Sequence, residues 1–284
     1  MNKLRIVIPK GRIFENVVKL LGEAGIYIQV SERGYRPVVS NTDVEIKIMK
    51  PQNIPKLVEL GSHDIGFTGY DWIVETGAEI TEIMDLKLNP VKIIAAVPEN
   101  LTDKDLRKKK LVVASEYENI AVTYLKKSGY KYVFLRTYGT TEVFPPDDAD
   151  MIIDNAATGR TLAEHNLKVI ATLLSSSTRF IANKGVLKDS WKREKILEMK
   201  TLFQSVLDAR ERVMLEMNVP KLKIKTIVKM LPCMRSPTVA PLYGEQGYAV
   251  KVAVKRAEVV KLIPLLKKLG ATDILEYEFR KVVV

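Results

Sequence analysis

Apolar and polar positions change places in short, punctuated runs along this chain. Residues 4–8 (Leu-Arg-Ile-Val-Ile) predict a strand, which Pro9-Lys10-Gly11-Arg12 breaks. Ile13, Val17, Leu20 and Leu21 then recur at the spacing of an amphipathic helix, with Gly22 and Gly25 at its end. Strands are predicted at 44–49 and 65–67, with a helix over 51–60 between them. Pro51 sits in that helix's first turn, where its missing N–H costs nothing. After Gly69 another helix opens, and Gly77 closes it. This alternation argues for an α/β layer built on a mostly parallel sheet.

A second stretch of the same kind starts near residue 88. Residues 91–97 and 111–114 predict strands, 118–128 a helix ended by Gly129, and 133–135 and 151–153 two further strands. The apolar run 173–182 reads as a strand returning toward the first lobe and 190–207 as a helix, so two lobes with a cleft between them are expected. Beyond 207 the order changes. Residues 212–217 alternate like a strand, 220–231 and 257–269 carry helical spacing, 238–242 and 248–254 predict a hairpin, and 274–280 a last strand. That βαββαβ order is the ferredoxin-like pattern. The expected division is 1–88 with 173–207 as one lobe, 89–172 as the second, and 208–284 as a separate C-terminal domain.

Composition narrows the class. A chain of 284 residues with 46% hydrophobic residues holds two or three packed domains. No apolar run approaches the roughly 20 residues that cross a bilayer. The first residues lead straight into a strand pattern without signal-peptide anatomy, so a cytoplasmic location is expected. Cys233 is the only cysteine, which excludes intrachain disulfides and a cysteine-rich zinc site, and His63 and His165 are too few for a histidine-based metal site. The net charge of +11 raises nucleic acid as a partner. Its distribution argues against that: residues 1–200 carry +4 and 201–284 carry +7, the latter spread along amphipathic helix patterns. No nucleic-acid or membrane partner is expected.

Candidate chemistry lies in strand-to-helix turns. The richest is Asp150-Met-Ile-Ile-Asp154-Asn155-Ala156-Ala157-Thr158-Gly159-Arg160-Thr161-Leu162. It reads as a strand ending in an acid, a loop of small residues with hydroxyls, and a helix from Leu162. Such a loop offers backbone N–H groups and hydroxyls to a phosphate, and the acid can accept from ribose hydroxyls. A bare helix cap, in which the threonines bond only backbone, is the alternative. Lys10, Gly11 and Arg12 supply cations and close backbone approach at the first turn, although the same residues make an ordinary basic turn. Thr68, Gly69 and Asp71 repeat the logic at a third, either for a ligand or as a cap. Glu142 is a further carboxylate for ribose or base contacts. Asp147, Asp148 and Asp150 follow Pro145-Pro146 and read as solvated loop acids rather than as a metal site. No protein-held metal is expected; Mg²⁺ would arrive on substrate phosphates. The chain shows no nucleophile–base pair and no Walker lysine motif, so chemistry by positioning and charge stabilisation fits best.

In combination, the turn at Lys10, the segment Asp64-Ile-Gly-Phe-Thr68-Gly69-Tyr-Asp71 and the loop 154–162 resemble the ATP phosphoribosyltransferase family. The tail with Ser236-Pro237-Thr238 looks like the regulatory domain of its long form. The resemblance implies a two-lobed, periplasmic-binding-protein-like catalytic body and a ferredoxin-like regulatory domain. It implies transfer of the phosphoribosyl group of phosphoribosyl pyrophosphate to N1 of ATP, with inversion at C1 and Mg²⁺-assisted release of pyrophosphate. On this reading Asp154, Ala156, Ala157, Thr158, Gly159, Arg160 and Thr161 hold phosphoribosyl pyrophosphate. Lys10, Gly11, Arg12, Thr68, Gly69, Asp71 and Glu142 face ATP or pyrophosphate. L-Histidine would inhibit from a site near Asn218, Ser236 and Thr238, and the chain would form a homo-oligomer, a hexamer. Asn155 stands where many members are apolar, and its role is open. A two-lobed solute-binding protein without turnover is the alternative.

Overall fold

The computed structural model describes residues 2–29, 34–157, 159–244 and 246–284. It has a mixed α/β architecture of two compact units, one of Met1–Gly22 with Ile26–Ile196, the other of Glu23–Gly25 with Leu197–Val284. The long helix Ser190–Arg210 spans the point of division.

The larger unit contains two five-stranded sheets. In the first, Val44–Met49, Leu4–Pro9 and Ile65–Gly69 run parallel in that order, each followed by a turn into a helix. Ile65–Gly69 is buried at every position, which is why its sequence carries no alternation. Thr178–Asn183 and Ile80–Asp85 complete the sheet, and Thr178–Asn183 runs antiparallel to both its neighbours. The second sheet orders Leu167–Ser176, Val91–Pro98, Met151–Ala156, Leu111–Ser115 and Tyr132–Arg136. Its first two pairings are antiparallel and its last two parallel. Ile93, Ala95, Val113, Met151 and Ile153 from this sheet pack with Ala121 and Leu125 of the helix Glu118–Ser128.

Three expectations are corrected. The sheets are mixed rather than mostly parallel, because strands returning from one sheet to the other enter antiparallel. The run read as one strand over 173–182 is two strands in two sheets, divided at Ser177. There the Ser177 carbonyl accepts from the Tyr70 N–H, and its hydroxyl donates to Asp85. The strand read as ending at Asp154 continues to Ala156, because ladder pairing with Val91–Pro98 persists through Ala156↔Lys92. Ile80–Asp85, which the periodicity did not predict, has no fully buried position and no clean alternation.

The smaller unit has the element order βαββαβ after the long helix. Its sheet orders Thr238–Pro241, Gly247–Lys255, Arg212–Pro220 and Thr272–Glu278, all antiparallel. Val213, Leu215, Met217 and Val219 point to one face and pack with Ile227, Leu262 and Leu266 of the two helices. The strict alternation of Arg212–Pro220 follows from that one-sided burial. No helix among the described residues is long and apolar enough to cross a membrane.

Candidate functional site

The loop that dominates the sequence lines a pocket of about 210 Å³. Its walls include Asp154, Asn155, Ala156, Ala157, Gly159 and Thr161, together with Glu142 and Arg12. Gly159 has φ of +75°, which a residue with a Cβ adopts only with strain, and open space lies where that Cβ would point. Thr158 lies outside the described residues. The Arg160 guanidinium turns outward, 85% exposed, and pairs with Glu164 at 2.9 Å. It is not part of the wall.

Asp154 is a perturbed acid. Burial pushes its carboxyl up to about 6, and the nearby Glu116 and Glu142 push the same way. The Asn155 N–H, which donates to Asp154 Oδ1 at 2.6 Å, and the Thr141 hydroxyl only partly offset this. Two carboxylates, Asp154 and Glu142, therefore face one small pocket. Such a set suits hydroxyl donors or a divalent cation that brings phosphate ligands with it. Asp150 is differently employed: its carboxylate accepts from Lys109 Nζ and the Val112 N–H.

A second pocket of about 220 Å³ adjoins the first. Lys10, Gly69 and Asp71 line it, as do Gln52, Trp72, Glu116 and Tyr117. Arg12 and Asn155 belong to the walls of both pockets. The Lys10 ammonium lies 5.2 Å from the centre of the Tyr35 ring. At Gly69 a Cβ would overlap the Asp71 carboxylate, so the tight turn requires glycine. Thr68 is fully buried beneath the pocket, and its hydroxyl donates to the Pro51 carbonyl at 3.0 Å.

Asp71 is itself buried and well partnered. Ser176 Oγ donates to its Oδ1 at 2.5 Å, and the Tyr117 hydroxyl donates to its Oδ2 at 2.8 Å. The Tyr117 oxygen in turn accepts from Asn155 Nδ2 at 3.3 Å, and the same amide donates to Asp154 Oδ1 at 3.1 Å. One chain of hydrogen bonds thus runs Ser176–Asp71–Tyr117–Asn155–Asp154, tying Asp71, after the first sheet's strand Ile65–Gly69, to strands of the second sheet at both ends. Burial and the Asp71 carboxylate raise the Tyr117 phenol far above its ordinary value, so it stays a donor. An apolar residue at 155 would break this chain, which gives the asparagine a physical role.

Sequence reasoning missed Gln52, Glu116, Tyr117 and Ser176. Glu116 and Tyr117 follow the strand Leu111–Ser115 and precede the helix Glu118–Ser128, at a fourth strand-to-helix turn. That position was the available signal; the turn lacks the glycine that marked the others. In the smaller unit, Asn218 and Thr238 lie on the sheet face away from the helices. The pairings Thr238↔Lys251↔Glu216 put Thr238 on the face that Asn218 shares two residues along. Asn218 Nδ2 donates to Asp273 Oδ2 at 2.9 Å, and Ser236 is exposed in the preceding loop.

Comparison with known proteins covers nearly the whole chain. The family model described as ATP phosphoribosyltransferase matches residues 50–205, and that of the HisG C-terminal domain matches 209–281. An ATP phosphoribosyltransferase of Chlorobium phaeovibrioides is 40% identical over 99% of this chain and 97% of its own length. One from Thermodesulfovibrio yellowstonii is also 40% identical, over 99% and 98%. Among solved structures, the ATP phosphoribosyl transferase (HisG:HisZ) complex from Thermotoga maritima matches with a TM-score of 0.63 and 23% identity. That match covers 70% of this chain and 98% of the other.

Proposed function

The chain belongs to the ATP phosphoribosyltransferase family, which performs the first step of histidine biosynthesis, and from that premise we propose a division of labour between its two adjoining pockets. Phosphoribosyl pyrophosphate occupies the pocket of Glu142, Asp154, Ala156, Ala157, Gly159, Thr161 and Arg12, and ATP occupies that of Lys10, Gly69 and Asp71. The observation that carries this reading is the pair of shared walls, Arg12 and Asn155, which sets two ligands side by side.

The chemistry needs little beyond that placement. N1 of adenine donates its electron pair to C1 of the ribose, and the C1–O bond to pyrophosphate breaks with its pair leaving on oxygen. Positive charge gathers on the ribose and then on the adenine, while negative charge gathers on pyrophosphate. Asp154 accepts from ribose hydroxyls and faces the developing cation. Arg12 and Lys10 neutralise phosphate oxygens, and Gly159 lets backbone approach the 5-phosphate. Glu142 and Asp154 are suited to hold Mg²⁺ carried on the pyrophosphate, where it supplies charge neutralisation of the leaving group. Mixing the protein with ATP, phosphoribosyl pyrophosphate and Mg²⁺ should release pyrophosphate and form the N1-adduct. Absence of the adduct would refute the assignment.

The same proposal extends to regulation and assembly. The larger unit acts as a two-lobed, periplasmic-binding-protein-like catalytic body. Its lobes correspond to the two sheets, so the second lobe runs on to Ser176 rather than ending at 172, the first regains the chain at Thr178, and the larger unit ends at Ile196 rather than 207. Residues 208–284 form a ferredoxin-like regulatory domain, supported by the βαββαβ order. L-Histidine binds there near Asn218, Ser236 and Thr238 and lowers activity, and the cytoplasmic enzyme is a homohexamer. Removing residues from about 210 onward should abolish histidine inhibition. Persistent inhibition in the truncated enzyme would move the site elsewhere, and light scattering of the full chain tests the hexamer.

A further inference from the structure

The parallel ladder between Leu111–Ser115 and Met151–Ala156 runs only as far as Ile153↔Ser115. The Ser115 hydroxyl closes it by donating to the Ile153 carbonyl at 2.5 Å. Past that point one chain carries Tyr117 to the wall of the second pocket, and the other carries Asp154 to the wall of the first. The side chain of Asn155, which belongs to both walls, rejoins them there by donating to the Tyr117 oxygen. An amide takes over where the backbone ladder stops.

Its orientation follows from its partners. Tyr117 has one phenolic hydrogen, which goes to Asp71, so its oxygen can only accept from Asn155. Asp154 Oδ1 also accepts, from the Asn155 backbone N–H and from Nδ2. Both contacts need donors, so the NH₂ end faces Tyr117 and Asp154, and both of its hydrogens are used. The far end of the bridge is firmly seated. Asp71 lies in the helix Tyr70–Thr76, and Glu75 of the same helix accepts from the N–H groups of Asn119 and Ile120, each at 3.1 Å. The Tyr117 ring is stacked on Trp72 of that helix, with centroids 4.5 Å apart. Asn155 is the link that passes this fixed position on to Asp154.

We propose that Asn155 is a positioning residue for the transfer step: its amide holds the Asp154 wall of one pocket at a set offset from the Tyr117–Asp71 wall of the other, so that N1 of ATP meets C1 of the ribose. This rests on the reading that the two pockets hold the two substrates, and it is indifferent to which pocket holds which. Each substrate is gripped by its own walls, so loss of the bridge leaves both grips in place and alters only their offset. In chemistry by positioning, a misplacement of about 1 Å costs on the order of 100-fold in rate. The effect therefore belongs in the transfer rate. A direct contact of Asn155 with one substrate, made equally before and during reaction, would appear in that substrate's KM instead.

The test compares the full chain with Asn155→Leu, Asn155→Asp, Tyr117→Phe and the double variant Asn155→Leu/Tyr117→Phe. Asn155 is exposed, so these changes at 155 leave the core untouched. Single-turnover formation of the N1-adduct at saturating ATP, phosphoribosyl pyrophosphate and Mg²⁺ reads the transfer step. Asn155→Leu should slow it by about 10- to 100-fold while both KM values stay within about threefold of the parent. Asn155→Asp keeps the shape but has no donor and should be no faster than Asn155→Leu. A chain broken at one link is already broken, so Asn155→Leu should cost less than about threefold more in the Tyr117→Phe background. An unchanged single-turnover rate, a loss confined to one KM, an active Asn155→Asp or fully multiplicative losses would each overturn the proposal. Failure of the pocket reading is separable, because a parent that forms no N1-adduct refutes that reading. The bridge is then still decided by urea unfolding: Asn155→Leu should shift the midpoint less in Tyr117→Phe than in the parent, and equal shifts would overturn it.

Discussion

Asp154→Asn separates the energetic cost of the site from its use. In the folded chain the Asp154 carboxyl titrates near 6, against an ordinary value of 3.8. A raised acid retains its proton when the unfolded chain has lost it, so folding stability from this group falls as pH rises between those values. At about 1.36 kcal/mol per unit, the cost is well under 1 kcal/mol at pH 4 and reaches about 3 kcal/mol above pH 7. Asparagine keeps the shape and removes the charge. Asp154→Asn should therefore match the parent near pH 4 and exceed it at pH 8, by about 2–4 °C in Tm for each kcal/mol. Thermal unfolding of both proteins at the two pH values measures this. The same substitution should lower kcat/KM for phosphoribosyl pyrophosphate by about 10- to 100-fold, because a ribose acceptor is lost. A variant no more stable than the parent at pH 8, or one with the same gain at both pH values, would refute the argument from a buried, repelled carboxylate.

Other outcomes follow from named contacts. Arg12→Ala should reduce kcat/KM for ATP and for phosphoribosyl pyrophosphate alike, by about tenfold or more, whereas the outward-facing Arg160→Ala should change neither beyond about twofold in steady-state kinetics. Tyr117→Phe leaves Asp71 one donor short in a buried place and should cost about 1–3 kcal/mol in urea unfolding. Asp64 is buried and accepts from Arg5 and Lys192 at 2.8 and 2.9 Å. These bonds hold its carboxyl below the ordinary range despite burial. Its contribution is present at neutral pH and is lost as pH falls below about 4, so Asp64→Asn should lose stability at pH 7 and converge on the parent in acid.

The chain revealed its architecture wherever one face or both faces of an element met a core. Arg212–Pro220 alternates because one side packs on helices, and Leu4–Pro9 reads as apolar because both sides are covered. The path from Leu167 to Asn183 was misread because residues on both sides of Ser177 are equally strand-like; only tertiary bonds at Ser177 decide where one sheet ends. The site was legible where glycine, threonine and cations marked a turn. Arg12, Glu142 and Asp154, Gly159 and Thr161 of the loop are 130 or more residues apart at their extremes yet line one pocket. Gln52 and Tyr117 gave no such mark: an amide in a turn and a phenol between strand and helix acquire meaning only through what they bond. Arg160 shows the reverse, a basic residue inside a motif whose side chain leaves the site.

The break at Ser177 has a mechanical consequence. The chain passes between the two sheets of the larger unit twice, after Asp85 and again at Ser177. The two passes are laced together, since the Thr178 N–H donates to the Leu88 carbonyl and the Leu86 N–H donates to the Thr178 carbonyl. Two tied strands form a ribbon, which bends readily about one axis and resists sliding. Any relative movement of the two sheets is therefore expected to follow a hinge rather than a shear. Ser176, which donates to Asp71, is the residue just before the second crossing. The hydrogen-bond chain to Asp154 thus starts beside the crossing, and Arg12, whose carbonyl accepts from Asn89 of the first pass, is tied to the same ribbon.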